Sequence, residues 1–393
     1  MDSVRLQNSP AGRLVPISGT DARFGHVRYD HWAFVPNPLP TEVELGPSTW
    51  RTITDASVSL GRLDQAGRQL PEPRLLRRPT LRREAQSTSA LEGTYAPLTE
   101  VLGADLDDGP ALGRSTELAE VLNYVRAAEF AYAAVGDRPV TTMLLFDIHR
   151  LLVAGTAADG PLAGRVRDHQ VVIGAHGQRI ESARFIPPPP GHDLEIGLRQ
   201  WTDWIEADIQ LPALARAALA HYQFETLHPF NDGNGRIGRL VIVLQLLRAG
   251  VLHDALLTVS PWFEARRREY QDQLQRMSET GDWDTWVTFF CEGVGAQADA
   301  TALKVTRLLT FQDHVHRTAR RAGLRGTALD VADDIIARPV FSVAQVAAER
   351  KVSRQTATTA VNRLVEAGVV QEATGRAYDR IFIARDVVRI LED

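Results

Sequence analysis

The stretch His228-Pro-Phe-Asn-Asp232-Gly-Asn234-Gly-Arg236-Ile-Gly-Arg239 gathers the side chains best suited to chemistry. The apolar run LVIVLQLL follows it, so it reads as a polar loop opening a buried helix. His228 can accept a proton near neutral pH. Gly233 and Gly235 let the backbone approach a ligand with no Cβ in the way. The helix that starts here adds unpaired N–H groups and the positive end of its dipole. Arg236 and Arg239 share one face near that N-terminus and oppose the dipole, a cost that a multiply charged anion would offset. Asp232 among these donors suits a hard cation bridging to phosphate oxygens. A base, a metal carboxylate, an anion cradle and two arginine clamps are equipment for phosphate-ester chemistry.

Composition narrows the way such chemistry could be done. The only lysines are Lys304 and Lys351, each followed by Val, so a GxxxxGK[ST] phosphate loop is absent. Any phosphate must be held by arginine and backbone N–H groups. With Lys+Arg 44 against Asp+Glu 49 the net charge is −5, which excludes a basic nucleic-acid coat over the whole chain. The single cysteine, Cys291, excludes an intrachain disulfide or a CxxC metal knuckle. Its neighbours Trp286, Phe289 and Phe290 predict a packed, unreactive thiol. The first twenty residues hold no apolar run of signal-peptide length. The longest apolar stretch, Leu240 to Leu247, includes Gln245 and is far short of the ~18 residues that span a bilayer. A cytoplasmic protein without membrane contact is expected.

HPFNDGNGRIGR resembles the motif HPFx[DE]GNGRxxR of the Fic family, whose members mostly transfer AMP from ATP to protein hydroxyl groups. The resemblance runs from about residue 30 to residue 300. Thr88-Ser-Ala-Leu-Glu92-Gly93 is similar to the family's inhibitory [ST]xxxE[GN] helix. GRVRDHQVVIG followed by ARFIPPPP is similar to the flap over the active site, and GDWDTWVTFF to the closing helix of the core. The resemblance implies ATP and Mg²⁺, with His228 as general base and Asp232 holding the metal. It implies that Gly233, Asn234 and Gly235 surround the α-phosphate and that Arg236 and Arg239 clamp the outer phosphates. Phe230 would anchor the loop from beneath. It further implies that Glu92 pairs with Arg239, obstructs the γ-phosphate and keeps the enzyme autoinhibited. In some relatives the same glutamate helps remove AMP. Partners implied are a target protein with an exposed Ser, Thr or Tyr hydroxyl, the chain itself, and a second copy in a homodimer.

The elements that must position these residues are mostly helical. At about 150 residues per domain, 393 residues predict two or three domains. Residues 1–80 read as irregular and rich in Pro and Gly, with a strand-like patch around Val27 to Val35. Residues 81–300 read as the catalytic core, with the inhibitory helix at about 82–93, the flap at about 168–188 and the motif at 228–239. Helices are expected at 141–153, 192–207, 211–226, 234–249, 262–278 and 283–298, and a β-hairpin at 170–187 ended by Pro187 to Pro190. Connecting helices fill 301–335. Residues 336–393 read as helix, helix and two-stranded wing, the pattern of a winged helix-turn-helix. Ser353 is the expected N-cap of its second helix and Gly368 the stop. The fold class expected is mainly α.

Other readings compete at particular residues. His221 reads as core or capping, and Tyr270 as core or an adenine contact. Arg74, Arg77, Arg78, Arg82 and Arg83 read as a solvated or ion-paired helix face before a nucleic-acid patch. From Phe341 to Asp393 eight basic residues face seven acidic ones, which favours protein docking over DNA reading. Two alternatives to protein adenylylation stay open. One is a DNA-binding regulator whose core senses a nucleotide. The other is a different donor, such as UTP or a CDP-linked head group, since the motif reads phosphates and metal and not the base.

Overall fold

The computed structural model describes residues 1–21, 25–68, 74–106, 115–136, 138–174, 179–374 and 380–393. In chain order the elements begin with α1 (Ser3–Leu6), β1 (Gly12–Asp21), β2 (Val27–Pro36), α2 (Pro47–Arg68), α3 (Arg74–Leu91), α4 (Leu98–Leu102) and α5 (Thr116–Val135). Then come α6 (Thr142–Val153), α7 (His192–Glu206), α8 (Ala213–Leu227), α9 (Asn234–Arg248), α10 (Ser260–Ala265) and α11 (Arg267–Thr280). The chain continues through α12 (Trp283–Arg321), α13 (Thr327–Asp333), β3 (Val340–Ser342), α14 (Val343–Arg350) and α15 (Arg354–Glu366). It closes with β4 (Gln371–Glu372), β5 (Ile381–Ile383) and α16 (Arg385–Glu392). The mainly helical expectation therefore holds, and residues divide into two compact units.

The first unit comprises Met1–Ser59, Arg126–Leu252 and Trp262–Ala296. Its centre is α8 against α9. From Leu240 to Leu246 helix α9 is apolar all round but for Gln245 and is buried accordingly. The two helices approach closely at Gly238, where an added Cβ would lie 2.5 Å from Glu225 Oε1 and 3.2 Å from Phe224. Two buried tryptophans lock neighbouring helices onto α8: Trp201 Nε1 donates to Ala220 O and Trp286 Nε1 to Ala218 O, both at 2.8 Å. Cys291 is buried here, and burial pushes its thiol up to about 12, as the inert reading requires.

Within residues 1–80 the strand-like patch expected at Val27 to Val35 is β2 (Val27–Pro36), but the rest is not the irregular region expected. β1 and β2 form an antiparallel hairpin in register from Gly12–Pro36 to Asp21–Val27, and α2 adds 22 helical residues. Pro16 hid β1 in the sequence, yet a two-stranded sheet has free edges where a missing N–H is tolerated. Helix α2 is rich in Ser and Thr, poor helix formers, and only Ile53, Ala56, Leu60 and Leu63 recur at helical spacing. The expected hairpin at 170–187 is also reduced. Among the described residues it is a single antiparallel bridge, Ile173–Phe185, with a 3-10 turn at Ile180–Ser182 between the bridged residues; 175–178 lie outside the described residues. Pro187 onward cannot extend a ladder. This segment leans instead on β2, with Phe34 N donating to Ile186 O and Phe185 edge-on to Phe34.

Two helix boundaries also differ. The helix expected at 262–278 breaks at Arg266, whose backbone leaves the helical region. The helix expected at 283–298 and the first of the connecting helices expected over 301–335 are one helix, α12, since nothing between Asp299 and Thr301 stops propagation.

The second unit comprises Leu60–Val125, His253–Pro261 and Gln297–Asp393. The Glu84 carboxylate of α3 accepts from both the backbone N–H and the hydroxyl of Ser260, satisfying the start of α10. Arg78 and Arg82 pair with Asp105, and Arg77 with Asp254, so this face carries local ion pairs. The side chain of Arg74 lies outside the described residues. In the C-terminal part, β3, β5 and β4 form a three-stranded antiparallel sheet beside α13, α14 and α15. Ser353 caps α15 by accepting from Thr356 N, and Gly368 takes φ 71° after its end. Residues 375–379, between the two strands of the expected wing, lie outside the described residues. Helix α16, absent from the sequence reading, buries Val387, Val388, Ile390 and Leu391 and packs on α3 and α4.

Candidate functional site

His228 stands at the C-terminus of α8 with φ 49°, a left-handed conformation costly for any residue with a Cβ. That turn swings its ring out of the helix line. Its Nδ1 lies 3.3 Å from Glu225 O. A carbonyl can only accept, so Nδ1 carries the proton and Nε2 is the basic nitrogen.

The loop after His228 is held from inside by Asn234. Its Oδ1 accepts from Phe230 N and its Nδ2 donates to Phe230 O, both at 2.8 Å, which closes a ring of bonds across the loop. Phe230 is fully buried, as expected, against Phe146, Phe224 and His149. Asp232 is half-exposed. Its Oδ1 accepts from Gly233 N at 2.6 Å, and its Oδ2 accepts from Arg236 at 3.1 Å.

Helix α9 then begins without a side-chain cap, from Gly233 at φ 77°. A Cβ there would lie 2.7 Å from Leu152 Cδ2, so the close backbone turn requires glycine. The first-turn N–H groups of a helix have no intrahelical partners, which makes this end an anion seat. Arg236 and Arg239 are 3% and 1% exposed, and Asn234 2%. With Arg236 already paired to Asp232, two guanidinium groups buried at the positive end of a helix still leave that end well suited to a multiply charged anion. The structure thus brings His228, Asp232, Gly233, Asn234, Gly235, Arg236 and Arg239 together in one loop and helix start.

These residues fit a nucleotide phosphate chain: an uncapped helix end, a backbone turn with no room for a Cβ, and two buried arginines. Among the described residues no three His, Cys, Asp or Glu side chains converge as a metal cage. Asp232 alone fits a hard cation whose other ligands come from phosphate oxygens and water.

Glu92 lies in the second unit, just beyond α3. Its N–H and that of Thr94 donate to Ser89 O, and Gly93 follows at φ 97°. His221 is buried, as expected, with Nε2 2.7 Å from the Tyr270 hydroxyl and with Phe263, Trp286 and Phe290 around it. Burial holds it down to about 3, so it is neutral. Tyr270 is likewise buried in this aromatic cluster.

Two side chains at the site escaped the sequence reading. Arg167 is 1% exposed and donates to His228 O at 2.8 Å, His169 O at 3.0 Å and Pro188 O at 2.5 Å. Its own N–H donates to Pro229 O. His149, fully buried in α6, stacks on Phe230 with centroids 4.1 Å apart. Its Nδ1 accepts from Gly164 N at 2.8 Å, so Nε2–H faces Asp232 O at 3.2 Å. The only sequence signals were an arginine in GRVRDHQ and a lone His on the apolar face of α6.

Residues 50–133 match the Fic/DOC family N-terminal region, and residues 139–246 match the Fic/DOC family. Protein adenylyltransferase Fic of Culex quinquefasciatus is 31% identical over 177 residues, which are 44% of this chain and 32% of that protein. Protein adenylyltransferase fic-1 of Caenorhabditis elegans is 33% identical over 170 residues, 42% of this chain and 31% of that protein. The match thus spans about a third of the length of these curated relatives. Among solved structures, a Fic family protein from Desulfovibrio desulfuricans G20 superposes with TM-score 0.55 at 22% identity, covering 87% of this chain and 97% of that one. Fic-1 (residues 134–508) from C. elegans superposes with TM-score 0.51 at 23% identity, covering 67% and 74%. These likenesses show the fold.

Proposed function

We propose that this protein transfers AMP from ATP to a hydroxyl group of a protein. The observation that carries the reading is the pairing of one basic nitrogen with one anion seat. His228 has its Nδ1 proton committed to Glu225 O, and it borders a helix start that lacks a cap and holds two buried arginines. A hydroxyl oxygen attacks the α-phosphorus of ATP, its proton passes to His228 Nε2, and the bond to pyrophosphate breaks. Attack at phosphorus needs alignment and charge stabilisation more than covalent help. The first-turn N–H groups at Asn234 and Gly235 take the α-phosphate, and Arg236 and Arg239 take the outer phosphates and the departing pyrophosphate. When bound, Mg²⁺ neutralises phosphate charge, and Asp232 is the residue to hold it.

The bridge Ile173–Phe185 supports a docking role for 168–188, since strand edges align extended target segments by main-chain hydrogen bonds. We assign Glu92 as a regulatory carboxylate that competes with phosphate for the arginine clamp. Residues 336–393 are read as a winged helix that docks protein, because α15 carries only Arg354 and Arg363 as basic groups. A cytoplasmic location and a homodimer complete the proposal.

The test is α-phosphate-labelled ATP with Mg²⁺ in cell extract, using wild type, Glu92→Gly and Glu92→Gly/His228→Ala. We expect strong protein labelling with the single variant, weaker labelling with wild type, and a loss of at least ~10²-fold with the double variant. No label with any variant, despite ATP binding, overturns the reading.

A further inference from the structure

The loop from His228 to Asp232 is fastened at both ends by side chains that lie far from it in sequence. At the His228 end, the Arg167 guanidinium is shared by three carbonyls: His228 O on the loop, and His169 O and Pro188 O on the two arms of the 168–188 segment. At the Asp232 end, His149 bridges Gly164 N–H to Asp232 O while its ring backs Phe230. Both fastenings therefore root the loop in the same short stretch, 164–169.

Arg167 is a costly way to hold a loop. Its charge is buried and every partner is a neutral carbonyl, so an apolar side chain would fill the space at less expense in desolvation. What an apolar group could not do is fix three carbonyls from three chain segments in one plane. His149 has a matching property. With its Nδ1 occupied by Gly164 N–H, its one ring proton has a single use, the carbonyl of the residue assigned to the metal.

We propose that Arg167 and His149 are positioning residues with separate duties: Arg167 sets the direction of the His228 imidazole, and His149 sets the Asp232 carboxylate and the phosphate seat beside it. The inference rests on the adenylyl-transfer reading and sharpens it. Arg167 acts through the base, so it governs the rate once nucleotide is bound. His149 acts through the phosphate seat, so it governs nucleotide and Mg²⁺ affinity.

The experiment compares Arg167→Met, Arg167→Lys, His149→Leu and His149→Gln in the Glu92→Gly chain. Three quantities are measured: self-labelling from α-phosphate-labelled ATP, calorimetric affinity for ATP with Mg²⁺, and the rate at which diethyl pyrocarbonate modifies His228, read by peptide mass. Arg167→Met should lower the saturated labelling rate at least about tenfold and shift His228 modification severalfold, with affinity within about twofold; Arg167→Lys should recover part of the rate. His149→Leu should weaken ATP–Mg²⁺ affinity by about fivefold or more and leave His228 modification unchanged, and His149→Gln, which keeps a donor, should recover affinity. The proposal is overturned if rate, affinity and His228 modification move together in both sets, in step with loss of secondary structure, or if none of them moves. Should the Glu92→Gly chain give no label, adenylyl transfer itself fails, while affinity and His228 modification still decide whether the two duties are separate.

Discussion

Helices α8 and α14 end alike, on a non-glycine residue in the left-handed region: His228 at φ 49° and Lys351 at φ 53°. Each hands the chain to a second helix within a few residues. The second helices begin in opposite ways. Helix α15 satisfies itself, because Ser353 accepts from Thr356 N and its basic side chains lie at the surface. Helix α9 has a glycine where that cap would be and buries Arg236 and Arg239 in its first two turns. The same turn geometry thus serves two ends. Where the helix start is closed by its own side chain it is self-sufficient, and where it starts from a glycine beside two buried arginines it is suited to an anion.

The sharpest way to break that contrast is Gly233→Ala. The residue sits at φ 77°, and the new methyl would meet Leu152, which is fully buried. The turn must open, and the first N–H groups of α9 must move with it. Calorimetry should show ATP–Mg²⁺ affinity falling by tenfold or more, about 1.4 kcal/mol. Unchanged affinity would mean that the start of α9 is not the phosphate seat.

A second difference lies in what each pair conceals. The α14–α15 region, from Phe341 to Asp393, holds no histidine, whereas α8 buries His221. Burial holds His221 down to about 3 and His149 to about 4, both from 6.5. Below about pH 6.5 the unfolded chain takes up protons that these folded sites refuse. Stability is therefore complete above that pH and is lost as pH falls toward 4 and then 3, at ~1.4 kcal/mol per unit for each group. His221→Gln should flatten this acid limb in thermal melts between pH 6.5 and 4. A limb of unchanged slope would show that His221 does not resist protonation.

The contrast also explains what the sequence could and could not reveal. The motif was legible because its base, carboxylate, glycines and arginines fall within twelve consecutive residues, where spacing alone implies a shared site. Ser353 and Gly368 were legible for the same local reason. Arg167 and His149 were not, since they reach the loop from 61 and 83 residues away and a long-range bond to a carbonyl leaves no local pattern. Strand β2 was legible as the strand-like patch at Val27 to Val35, whereas β1 and helix α2 were missed because partly exposed elements dilute their own periodicity, and Pro16 reads as a breaker until the strand is seen to have a free edge. Helix α16 lies in the run beyond the expected wing, too short for a periodicity to stand out.

The smallest effects test the closed pair. If α15 starts on a purely structural cap, Ser353→Ala should cost about 1 kcal/mol and leave ATP–Mg²⁺ affinity unchanged. Lys351→Gly should relieve the left-handed strain, and after the added freedom of the unfolded chain is subtracted it should stabilise by about 0.5 kcal/mol. At the equivalent turn of the open pair, His228→Gly relieves the same strain and should likewise preserve or raise the melting temperature, yet abolish labelling. The three variants together separate conformation from chemistry: on the proposed reading strain at Lys351 is only a cost, whereas strain at His228 places the imidazole where the helix would not put it. A fall in labelling with Lys351→Gly would show that the second turn also serves the reaction, and the contrast between the two pairs would no longer stand.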